Sequence, residues 1–226
     1  MLEEVAENVW STPSPLVIFG VLQMNTRMTI IRLSDGTIWL HSLVPYNEEL
    51  CEEIERIGKI SYLVAPNCLH HLFVGEWMKR FPEAKSYAAR GLDKKRSDLS
   101  FSHLLTEDFK AAWTEEISYV NLQGIPIVNE CVFFHKASST LIITDLFEFM
   151  PNATGFTKFY AKVWFNGFYN RLRTPFIFKA TIKDKPIFRA SLEIIKQWNV
   201  KQVALCHHTI ITDNAQEQVN KALAEL

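Results

Sequence analysis

Three short apolar runs in this chain each end at a polar residue able to do chemistry. Ile60-Ser61-Tyr62-Leu63-Val64 leads through Ala65-Pro66-Asn67-Cys68-Leu69 to His70-His71. Leu141-Ile142-Ile143-Thr144 ends at Asp145, and a run over 201–206 ends at His207-His208. Runs of this length, rich in β-branched residues, predict buried strands. In layered α/β folds, sites gather where strands end, so the pattern constrains both the architecture and the place to look for function.

The segments between these runs fit that frame. Arg27 to Leu33 and Thr37 to His41 flank Asp35-Gly36, a hairpin signal. Val9-Trp10 reads as a short strand and Leu16 to Leu22 as an apolar one. Asn47 to Ile57 carries Leu50, Ile54 and Ile57 at helical spacing, with Gly58 as a stop. A helix carrying Leu72, Phe73, Trp77 and Phe81 follows the His-His turn. Residues 90–103 are charged and polar and read as a surface loop. Strands are predicted over 117–120 and 130–135. Asp184-Lys185-Pro186 opens a helix burying Ile187, Phe188, Leu192, Ile195 and Trp198. A last helix covers 214–226. The βαβ-like order implies a layered α/β fold.

Phe156, Phe159, Tyr160, Val163, Trp164, Gly167 and Phe168 form an apolar stripe of period 3.6. Three readings stay open for this helix: core packing, an aromatic lid over a cleft, or an interfacial helix using Lys158, Lys162, Arg171 and Arg173 at anionic lipid.

Composition narrows the function classes. The 226 residues, 48% of them hydrophobic, can bury a large core and are expected to form a single domain over 1–226. A net charge of −1 leaves no nucleic-acid footprint. The four cysteines, at 51, 68, 131 and 206, match no CxxC spacing, which points to reduced thiols and a cytoplasmic setting. The N-terminus lacks the pattern of a signal peptide, and no run is long and apolar enough to span a membrane, though contact with a membrane surface stays open.

Three strands ending in His, Asp and His would bring together nitrogen and oxygen donors suited to a divalent metal. Taken singly, each has a plainer reading: His70 or His71 as a buried structural histidine, Asp145 as a helix cap. His41 and His135 fall within strands and read as structural. Asn67 could orient a ligand or cap the following helix, Glu130 could hydrogen-bond within the site or simply open a strand, and Cys68 fits a core thiol better than a ligand.

Several of these segments, taken in order, resemble the metallo-β-lactamase superfamily. More narrowly, Arg27-Met28-Thr29, Asp35-Gly36, Ala65-Pro66-Asn67 with His70-His71, Asn129-Glu130, Ser139 to Asp145 and His207 resemble a domain-of-unknown-function branch of it. The resemblance implies an αββα four-layer sandwich and a metal-dependent hydrolase. Aligning His71 with the last histidine of the family's HxHxDH motif puts Pro66 and Cys68 at the first two histidines and His70 at the aspartate. Leu122-Gln123-Gly124-Ile125-Pro126 stands where a third histidine of that subsite is expected. One metal subsite is thus lost. By resemblance, His70, His71, Asp145 and His207 would hold one divalent ion, zinc first and iron or manganese as alternatives. His70 doubles as a candidate catalytic base, and a bound water would attack an ester, thioester or similar small acyl substrate. The alternatives are a non-catalytic binding module on the same fold and, fitting less well, an electron-transfer di-iron protein. Substrate identity and oligomeric state are not encoded in these motifs.

Overall fold

A computed structural model describes residues 1–18, 22–151, 155–164, 171–207 and 209–226. The first seven strands are β1 (Glu3–Ala6), β2 (Val9–Ile18), β3 (Leu22–Arg32), β4 (Thr37–His41), β5 (Lys59–Ala65), β6 (Lys85–Ala89) and β7 (His103–Leu105). They form one sheet in chain order. Pairing is antiparallel from β1 to β4 and parallel from β4 to β7. Helices α1 (Glu48–Glu55), α2 (Val74–Arg80) and the one-turn α3 (Leu92–Lys95) make the parallel crossovers. The second sheet has the order β12-β11-β10-β9-β8, from β8 (Ile117–Asn121), β9 (Cys131–His135), β10 (Thr140–Ile143), β11 (Gln202–Leu205) and β12 (Ile210–Ile211). Helices α4 (Gly155–Trp164), α5 (Phe176–Ala180), α6 (Lys185–Lys196) and α7 (Ala215–Ala224) belong to the C-terminal half.

Strand alternation builds the layers. On β4, Ile38 and Leu40 face the α1 and α2 side, while Trp39 faces the other sheet. On β9, Val132 and Phe134 face α6 and α7, while Cys131 and Phe133 meet Trp39 and Trp113 between the sheets. On β10 and β11, Leu141, Ile143, Val203 and Leu205 go outward, and Ile142 and Ala204 go inward. A period of two thus feeds three apolar layers, and the result is the αββα sandwich.

Local chemistry explains the element ends. The Asn47 side chain accepts from Leu50 N and starts α1. Gly58 follows α1, where a Cβ would overlap the Gly36 carbonyl of the Asp35-Gly36 hairpin turn. Asp184 caps α6 through Ile187 N, with Pro186 in the first turn.

Some expectations need correcting. The apolar run Leu16 to Leu22 is split between two strands, with Ile18 paired to Leu22. Apolarity alone hides such a reversal when both arms are hydrophobic. The 90–103 loop contains α3, and Ile187 is exposed. Strands β1, β6, β7 and β12 and helix α5 were not expected. The aromatic stripe does form α4, but Phe159 and Val163 are 63% and 59% exposed, so core packing fails for those two. Gly167 and Phe168 lie outside the described residues. Among the described residues, no helix is long and apolar enough to cross a membrane.

Candidate metal site

The sheets are stitched together at one end. Arg27 N donates to Cys206 O at 2.8 Å, and Thr26 pairs with His207. On the other side, Cys68 N donates to Val128 O and Cys131 N to Pro66 O, both at 2.8 Å. Pro66 and Cys68, standing where the family pattern has two histidines, are here parts of the seam. The Gly124 loop, at the place of the third, is clamped to the start of α6. The Gly124 carbonyl accepts from Lys183 N and Asp184 N. Its φ of +74° and the nearby Asp184 carbonyl leave no room for a Cβ.

At this seam the ends of β5, β10 and β11 bring His70, Asp145 and His207 together, with one donor atom from each within 4.8 Å of the others. His70 Nε2 lies 3.0 Å from His207 Nε2. Asp145 Oδ2 is 3.5 Å from His70 Nε2, and Oδ1 is 3.6 Å from His207 Nε2. The outer nitrogens are occupied. His207 Nδ1 is 3.0 Å from the Asn25 carbonyl, which can only accept, so Nδ1 carries a proton and, in the neutral ring, Nε2 holds the lone pair. His70 Nδ1 meets Ser42 Oγ at 2.7 Å. Ser42 itself is buried, at a φ of +55°.

Asn67 organises the centre. Its Oδ1 accepts from Leu69 N at 2.8 Å and His70 N at 2.7 Å, shaping the turn. Its Nδ2 donates to Asp145 Oδ2 at 2.6 Å and Thr144 Oγ1 at 3.0 Å. Asn67 therefore caps the turn, not α2, whose N-cap is Phe73, and it orients the Asp145 carboxylate. Glu130, fully buried, accepts from Thr144 N at 2.9 Å and Asp145 N at 3.0 Å. It fixes the backbone from which Asp145 projects.

His71 goes elsewhere. Its Nδ1 lies 3.3 Å from Arg96 Nη1, and its carbonyl accepts from the same nitrogen. Burial, with Lys95 and Arg96 nearby, lowers its pKa. Neighbouring residues of a tight turn diverge, and the Asn67 cap sends His70 inward. His41 is buried against Trp39 and Phe133, and burial, helped by repulsion from His70, pushes its pKa down to about 3. His135 binds the Ser138 hydroxyl at the β9–β10 turn. The Cys68 thiol contacts the Arg90 carbonyl, and burial raises its pKa. All four cysteines are free and buried. His208 lies outside the described residues.

The centre is electrostatically paired. Burial would lower the His207 pKa, but the Asp145 hydrogen bond and the Glu148 and Asp145 charges raise it to about 9. Burial would raise that of Asp145, yet His70 and His207 hold it well below the usual carboxylate range. Burial takes Glu130 to about 8, with Asp145 repulsion adding to it. Glu148, also raised by burial, stands at about 7, and its Oε2 has no hydrogen-bond partner among the described residues. Ser42, Asn25 and Glu148 were not foreseen. Ser42 alone left a signal, as a polar residue directly after the strand ending at His41.

Two imidazole Nε2 atoms and a carboxylate that converge, with the far side of each ring engaged, match the donor set of a borderline divalent ion. Comparisons with known proteins agree at the level of fold. A family model described as a domain of unknown function, DUF4336, matches residues 6–155. A metallo-β-lactamase from Pontibacter korlensis superposes with a TM-score of 0.68 at 13% identity, over 99% of this chain and 97% of that one. The metallo-β-lactamase FIM-1 from Pseudomonas aeruginosa, in its mono-zinc form, gives 0.67 at 10% identity, over 100% and 95%. A metal-soaked flavodiiron core, Flv1 from Synechocystis sp. PCC6803, gives 0.63 at 11% identity, over 100% of this chain and 61% of that one. No curated protein matches in sequence.

Proposed function

The chain belongs to the DUF4336 family, with a metallo-β-lactamase-like fold, and from that premise we propose that it is a metal-dependent hydrolase with one mononuclear site. His70, Asp145 and His207 hold the ion, with His71 outside the ligand set, and residues 1–226 work as one domain. The supporting observation is the convergence of three donor atoms from three strand ends within 4.8 Å. Zinc suits two imidazoles and a carboxylate, with iron or manganese as alternatives. One ion on such a fold has a parallel in the mono-zinc form of FIM-1.

A bound divalent ion would supply a Lewis acid and a water acidic enough to ionise near neutral pH. The chain's own groups do the rest. Ser42 and the Asn25 carbonyl hold the two rings by their Nδ1 atoms, so only Nε2 of each faces the centre. His70 then serves as ligand or base through that one atom, not as both. Glu148, whose charge acts on His207 and whose Oε2 is unpartnered among the described residues, is our candidate proton acceptor. The candidate substrates are esters, thioesters and similar small acyl compounds.

The test is turnover of an ester and thioester panel by zinc-loaded protein. Activity is expected to vanish in Asp145→Ala and to fall about 100-fold or more in Glu148→Gln, with the ion retained. Bound zinc with no turnover of any substrate would instead favour a binding module. That second reading is favoured by the incorporation of Pro66 and Cys68 into the seam between the sheets.

A further inference from the structure

The chain is near neutral overall, but its charge is unevenly placed. From Phe149 to Lys183 there are six Lys or Arg residues and no Asp or Glu. The other residues carry 18 cationic side chains against 25 acidic ones. The same segment holds ten of the chain's aromatic residues. Cationic and aromatic composition without acids marks segments that work at a membrane interface.

The exposure agrees. On α4, Phe159 and Val163 are 63% and 59% exposed, and Lys158 and Lys162 are exposed beside them. On α5, Phe176 and Ile177 are exposed; Arg171, close in sequence, is 47% exposed and, like Arg173, pairs with Glu225, so the lysines of α4 carry the charge argument. Both elements are tied to the His70–Asp145–His207 centre. Helix α4 lies beside β3, whose Asn25 and Thr26 hold His207, and Arg173, just before α5, pairs backbone to backbone with Glu148. Exposed Leu69 and Leu72 flank His70 and His71.

We infer that α4 and α5 form a docking surface for an anionic phospholipid bilayer. Charge complementarity selects the partner: basic side chains meet lipid headgroups while Phe159, Val163, Phe176 and Ile177 enter the acyl boundary. Aliphatic Val163 and Ile177 argue against nucleic acid, whose bases stack on aromatic faces and gain little from branched aliphatics. The docking does not depend on the metal reading.

The experiment is sedimentation of the full chain with vesicles of phosphatidylcholine alone, or with about one third phosphatidylserine. Binding is expected only with the anionic lipid, and should fade as salt rises from about 0.1 M to about 0.5 M. Phe159→Glu/Val163→Glu and Lys158→Glu/Lys162→Glu should each weaken it about tenfold or more, with circular dichroism unchanged. Asp145→Ala should bind as wild type does, which separates this outcome from that of the metal site. Equal binding to both vesicles, or wild-type binding by the two double variants, would overturn the inference. So would capture of single-stranded RNA without vesicle binding, or a dimer dissolved by Phe159→Glu/Val163→Glu with no lipid binding.

Discussion

Asn67 makes four hydrogen bonds from a fully buried side chain, two to the turn carrying His70 and two to the strand end carrying Asp145. Replacing it by Leu strands Asp145 Oδ2 and two backbone N–H groups. The expected cost is roughly 2–4 kcal/mol in denaturant unfolding, well above that of a surface substitution. The His207 proton sets the pH behaviour. Without an ion, folded His207 keeps its proton to about pH 9, whereas the unfolded chain releases it near 6.5. Its stabilisation is therefore complete below 6.5 and is lost as pH rises through 9. Asp145 runs the other way: its folded pKa is lowered, so its contribution is present above the ordinary carboxylate range and is lost as pH falls. An ion must displace the His207 proton. Binding at pH 7 should release about one proton, and affinity should climb toward pH 9; calorimetry in buffers of different ionisation enthalpy measures both. Of these residues, His70, Asp145 and His207 were legible because each follows a recognisable strand. The sequence also put His71 in the ligand set, because Arg96, which His71 meets instead, lies in a segment that reads only as loop. Ser42 and Asn25 reach the rings from 28 and 182 residues away in sequence, beyond any local pattern.

Among the elements, the loop from Leu122 to Pro126, where the resemblance leads one to expect a histidine, has a structural role. Gly124, in the left-handed region, accepts from the backbone of Lys183 and Asp184 and so fixes the start of α6. Gly124→Ala should lower stability by roughly 1–3 kcal/mol, because a Cβ meets both an unfavourable φ and the Asp184 carbonyl. Metal content should be unchanged, since the loop contributes no donor. A loss of metal in this variant would show that the loop still shapes the site. The strands with clean alternation, β4, β9, β10 and β11, were readable because each has one face in an outer layer and one between the sheets. The β2–β3 pairing was not, because Leu16 to Leu22 reads as one apolar run. Helix α4 was readable by period but not by environment, since a stripe of period 3.6 facing solvent looks like one facing a core.

For the whole molecule, two sheets meet at one seam, and backbone hydrogen bonds from Arg27, Cys68 and Cys131 close it around the three donor side chains. A ligand that joins β5, β10 and β11 binds the folded state and not the unfolded one, so it should raise the melting temperature, and a chelator should reverse the gain. The central claim is that His70, Asp145 and His207 together hold one ion. Elemental and native mass analysis of the purified full chain, beside Asp145→Ala, His207→Ala and His71→Ala, tests it most directly. The account predicts about one divalent ion per chain in the wild type and in His71→Ala, and none in the other two. A wild-type chain free of metal after zinc incubation, or an ion lost in His71→Ala and kept in Asp145→Ala, would contradict it.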